Sequence, residues 1–167
     1  MEDIQRVPKV EWLKVPKGRT KVFTKDEIRM ILDFLGKHQE WMKCYAIIGL
    51  QTGMRLGEIK KINGQTLSKD GRTVYLETTK NGDPREIRLN DTAQAAVQRL
   101  LTINGNKFVQ STFYRTWERM QKEFIRTRKI SQADDFVFHA IRHTCASILA
   151  NDLNINLGVV SRVLGHR

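Results

Sequence analysis

The sequence predicts an α+β fold that is mainly α: a helical domain carrying a small antiparallel sheet of two or three strands. Three observations support this. Segments of helical period with start and stop signals occupy most of the chain. One stretch, "RTVYLETTKNGDPREIRL" at 72–89, instead alternates as strands do. The 167 residues, 40% hydrophobic, suffice for one domain with a substantial core.

Residues 1–20 place Pro8, Pro16 and Gly18 among scattered lysines without a sustained period, so they read as a linker or arm trailing from a preceding domain. Thr24 and Glu27 form a capping box that opens a helix running to about Gly36. A second helix runs from near Gln39 to Leu50, and a short third from Arg55 to about Ile62. Between them, Gly53 suits the positive φ that closes a helix. In 72–89 two alternating runs flank Asn81-Gly82, a strong hairpin signal. Pro84 fits only near the start of the second strand. A short strand at Thr66–Ser68 would make the sheet three-stranded.

Helices are expected again over Asp91–Leu101 and Thr112–Arg126. In the latter, Phe113, Trp117, Met120 and Phe124 form one apolar face. Arg115, Arg119, Lys122 and Arg126 repeat that spacing on the far side, as a solvated basic face or one that contacts a nucleic-acid backbone. "FHAIRHTCASILANDL" puts Phe138, Ile141, Cys145, Ile148 and Leu149 on one face, with His139, Arg142 and His143 off it. Asn154–Leu164 reads as the final helix, stopped by Gly165, with His166 beyond.

Charge narrows the partners. Lys and Arg number 29 against 18 Asp and Glu, a net +11 with a pI near 10.0. That surplus favours a polyanion, nucleic acid before a membrane surface. No apolar run approaches a bilayer span, and the N-terminus has no signal-peptide core, so a cytoplasmic protein is expected. Cys44 and Cys145 read as buried thiols.

Four segments then present a lone cation or imidazole at an element end or turn: Arg55, Lys80, His139 with Arg142, and His166. Each has an ordinary explanation. Arg55 pairs locally with Glu58, Lys80 is a solvated hairpin tip, and His166 favours a helix C-terminus. As a set, "TGMRLGEI", "TKNGDPREIRL", "HAIRHTCAS" and "LGH", in this order, resemble the catalytic domain of the tyrosine recombinases, the phage integrases. The resemblance spans about residues 20–167, so 1–20 become the linker from an N-terminal DNA-clamping domain and 21–167 a catalytic domain lacking its C-terminal end.

The resemblance implies a reaction. Arg55 and Arg142 grip the non-bridging oxygens of a scissile phosphodiester, as guanidinium forks do. His166 adds a third donor, and His139 assists proton transfer near the attacking group. Lys80 protonates the leaving 5′-oxygen. Glu58 orients Arg55, and His143 holds the backbone near Arg142. The family's nucleophile is a tyrosine about ten residues past the "LGH" histidine. The sequence stops at Arg167, and Tyr45, Tyr75 and Tyr114 do not fit that role. The expectation is a piece that binds double-stranded DNA without cleaving it, from a bacterial or phage-encoded enzyme that cuts and rejoins DNA as a tetramer. No cofactor or metal is expected.

Two rivals are distinct. One is a regulatory DNA-binding module with a recombinase-like fold and no catalysis. The other is a metal hydrolase using His139 and His143, whose spacing suits one ion, with Cys145 or His166 as a third ligand.

Overall fold

The structure, a computed structural model, describes residues 21–77, 84–127, 129–130, 136–152 and 155–164. The expected arm at 1–20, Lys80, the Asn81-Gly82 turn and His166 lie outside them. The described elements are mainly helical with one two-stranded sheet, as the sequence predicts.

Helix α1 (Lys25–His38) starts at the expected capping box: Thr24 Oγ1 accepts from the Glu27 N–H at 3.2 Å, and Glu27 Oε2 from the Thr24 N–H at 2.8 Å. These two bonds satisfy amide donors that have no partner within the helix. Helix α2 (Glu40–Thr52) is buried nearly all round and packs against α1. Gly53, at φ +65°, ends it with its N–H on the Gly49 carbonyl at 2.9 Å. Helix α3 (Leu56–Ile59) is one turn, shorter than the expected Arg55–Ile62.

Strands β1 (Thr73–Leu76) and β2 (Arg85–Arg88) pair antiparallel, with Val74 opposite Ile87. Pro84 directly precedes β2, where its missing N–H costs no ladder bond. The expected third strand is reduced to one bridge, Leu67 to Val74, so the sheet has two strands. Helix α4 (Asp91–Asn104) begins at Asn90, whose side chain accepts from the Ala93 N–H, and it packs along α2.

Helix α5 (Gln110–Arg126) buries Phe113, Trp117, Met120 and Phe124, the face read from the sequence. Trp117 Nε1 donates to the Phe136 carbonyl at 2.7 Å. Helix α6 (His139–Ser147) crosses α2 so closely that a Cβ on Gly49 would lie 2.9 Å from Ile141 Cγ2. It continues into one π-helical turn, Ile148–Asp152. Helix α7 (Leu157–Leu164) starts later than expected because Asn156 caps it: Asn156 Oδ1 accepts from the Gly158 N–H at 2.8 Å.

One polar hub ties these layers together. Asn106, buried and at φ +61°, donates to the carbonyls of Ile59 and Ile62 and accepts from Tyr45 Oη at 2.6 Å. It therefore closes α3 from a turn more than 40 residues on. Asn106→Ala should cost about 2–4 kcal/mol, from orphaned polar groups and a less tolerated backbone. Urea unfolding of this variant checks the figure.

Candidate phosphate-binding site

The site starts at the corner between α2 and α3. Thr52 Oγ1 folds back onto the Ile48 carbonyl at 2.6 Å and accepts from the Met54 N–H at 3.2 Å. Gly53 then turns the chain through a conformation that L-residues avoid. A Cβ there would lie 2.3 Å from Leu164 Cδ2 of α7. Arg55 follows in extended geometry at the N-cap of α3. Its N–H donates to Glu58 Oε2 at 2.7 Å, and its Nη1 to Glu58 Oε1 at 3.1 Å. The expected local pair with Glu58 is thus present and fixes the Arg55 side chain.

Arg142 reaches the same corner from α6. Its Nη1 donates to the Gly53 carbonyl at 2.5 Å and its Nη2 to the Leu164 carbonyl at 2.6 Å. Only 4% of it is exposed, although it lies off the apolar helix face. Burial, then the positive charge of Arg55, push its pKa down to about 10; Glu58 opposes the shift and Arg85 adds to it. At neutral pH the guanidinium therefore stays charged. A buried cation held by two main-chain carbonyls suits a site for an anion.

A cleft of about 490 Å³ opens beside the corner, with Arg55, Arg142 and His139 in its wall and Met54, Leu56 and Phe138 among its apolar lining. His139 is exposed at the start of α6, its ring edge-on to His143 at 4.8 Å. The structure thus brings together Arg55, Arg142 and His139, with Glu58 behind Arg55. Arg115, Arg119, Lys122 and Arg126 are exposed along α5, and Lys122 pairs with Glu118 at 2.6 Å.

Both thiols are buried as expected. Burial pushes Cys145 up to about 11 and also raises Cys44, so neither is a thiolate at neutral pH. Among the described residues no cluster of three or more His, Cys, Asp or Glu is placed to hold a metal ion.

Two residues, one in the cleft wall and one behind Arg55, escaped the sequence reading. Tyr114, set aside as a nucleophile, is exposed and lines the cleft. Arg85 donates from Nη2 to Glu58 Oε2 at 2.7 Å. A sequence signal for Arg85 existed: it lies two before Ile87, on the inward face of β2, where a charge requires a partner.

Residues 21–167 match the family described as the phage integrase family. The chain belongs to the phage integrase family. This family member is 26% identical over 157 residues to the shufflon-specific DNA recombinase of Escherichia coli, covering 92% of this chain and 39% of that protein. It is 23% identical over 154 residues to the tyrosine recombinase XerA of Saccharolobus solfataricus, covering 92% and 51%. The chain spans about two-fifths to just over half the length of the curated relatives it matches. Its fold is that of the Tn1549 transposon integrase solved with circular intermediate DNA: TM-score 0.72, 20% identity, 92% of this chain and 60% of that one. No described helix is long and apolar enough to cross a membrane.

Proposed function

We propose that this phage integrase family domain binds double-stranded DNA and holds the scissile phosphodiester of a strand-cutting and rejoining reaction. The observation that carries this reading is the guanidinium pair, Arg55 and Arg142, set on one cleft from two distant segments. Among the described residues, three guanidinium groups share the corner with the carboxylate of Glu58, a surplus that a phosphate would balance.

In this reading a tyrosine hydroxyl attacks phosphorus and the 5′-oxygen leaves, giving a 3′-phosphotyrosyl bond; the reverse attack rejoins the strand. Arg55 and Arg142 stabilise charge building on the non-bridging oxygens. Lys80 gives a proton to the departing oxygen, His139 receives one near the attacking hydroxyl, and His166 adds a donor to the phosphate. His143 supports the backbone beside Arg142. The basic α5 face, Arg115 to Arg126, contacts flanking DNA, and full-length copies act as a tetramer on it in the cytoplasm.

None of Tyr45, Tyr75 and Tyr114 is assigned the nucleophile's role, so the test uses the full-length reading frame on a nicked suicide DNA. A covalent protein–DNA band on a denaturing gel is expected. It should fall at least about 100-fold in Arg55→Ala and survive both Tyr114→Phe and EDTA. Loss of the band in Tyr114→Phe would move the nucleophile into the cleft wall. Strand cleavage with no covalent band, abolished by EDTA, would favour the metal hydrolase. No band from the wild type, alongside salt-sensitive DNA binding, would leave a regulatory binding module.

A further inference from the structure

Glu58 divides its carboxylate between two arginines. Oε1 accepts from Arg55 Nη1 at 3.1 Å, while Oε2 accepts from Arg85 Nη2 at 2.7 Å and from the Arg55 N–H at 2.7 Å. The three side chains are sheltered, with 21% of Arg55, 15% of Arg85 and 6% of Glu58 exposed. Arg85 extends from β2 on the same face as the buried Ile87, which brings its guanidinium to Glu58.

A carboxylate left alone with one arginine takes its fork bidentately, using two N–H directions of the guanidinium. Here the second oxygen is already occupied. Arg55 therefore meets Glu58 through one Nη. Among the described residues its Nε and Nη2 donate to none, and Arg55 lines the cleft.

We propose that Arg85 is a positioning residue for Arg55. By holding Oε2 of Glu58, it prevents a bidentate Arg55–Glu58 pair and keeps the rest of the Arg55 fork turned to the cleft for a phosphate oxygen. Arg85 does not touch the phosphate itself. The proposal rests on the phosphodiester reading for its purpose and on the shared carboxylate for its geometry.

The test uses Arg85→Met and Arg85→Lys, each alone and combined with Arg55→Ala, in the full chain. Orthovanadate, a phosphoryl mimic, is titrated by calorimetry. Guanidinium 15N spectra of Arg55 are recorded without vanadate. Arg85→Met should weaken vanadate binding about tenfold, yet add nothing in the Arg55→Ala background, because both changes act through one group. Arg85→Lys should recover most of the affinity, since an ammonium can still occupy Oε2. In Arg85→Met the Arg55 spectrum should show a second hydrogen-bonded, slowly rotating Nη, which a general loss of stability would not produce.

An equal vanadate loss in both backgrounds would make Arg85 a direct anion ligand and overturn the proposal. An unchanged Arg55 spectrum would overturn it as well. If the spectrum changes as expected while the wild type binds neither vanadate nor duplex DNA, the positioning role stands and the phosphodiester reading fails.

Discussion

Arg142→Ala should be the most damaging single substitution in this domain, on two independent readouts. Stability should fall by about 2–4 kcal/mol, because truncation strips a charged donor from two buried carbonyls and leaves a cavity. Those carbonyls belong to Gly53 and Leu164, so the loss loosens α7 against the α2–α3 corner. Strand cleavage by the full-length protein should drop by about 100-fold or more, the usual cost of removing a donor aimed at developing charge. Guanidinium chloride unfolding measures the first, and single-turnover cleavage at a temperature where the variant stays folded measures the second. Arg142→Lys separates them. An ammonium keeps the charge and can still donate to a carbonyl but lacks the planar fork that meets a phosphate bidentately, so it should restore less activity than stability. Full activity in either variant would remove Arg142 from the site.

Gly53→Ala should follow closely. The left-handed backbone costs an L-residue about 1–2 kcal/mol. The new methyl would also begin 2.3 Å from Leu164 Cδ2, a buried side chain, and overpacking there adds about 1–3 kcal/mol. Leu164 is at the end of α7 and has its own carbonyl on Arg142, so relief of the clash displaces a site partner. The expected result is a lower melting temperature together with weaker vanadate binding. Pairing Gly53→Ala with Leu164→Ala should recover part of the affinity, because the smaller neighbour makes room. No recovery would place the cost in backbone strain alone.

The elements visible in the sequence are those whose cause is local. The capping box at Thr24, the Gly53 stop and the aromatic stripe of α5 each declare themselves within a few residues, and the structure has all three. The order of the arginine and histidine segments was legible for the same reason. What was hidden depends on distant partners. Helix α3 ends early because Asn106, far along the chain, accepts the task of satisfying the Ile59 and Ile62 carbonyls. The helical period of Arg142 shows only that it lies off the apolar side; the carbonyl at the α2–α3 corner that makes its burial tolerable comes from far along the chain. Residues 66–68 alternate too briefly to hold more than a single bridge. Arg85 announced an inward charge, but not that Glu58 would answer it.

The two carbonyls on Arg142 come from widely separated segments of the described chain, one from the end of α2 and one from the end of α7. A nascent or partly melted molecule has at most one of them, so the buried guanidinium has no settled place until both ends have arrived. In the strand-cutting reading proposed above, this is a safeguard inherent in the architecture. In that reading the charge offered to a phosphate comes into register only as α7 closes on the α2–α3 corner, and misfolded copies hold no armed blade.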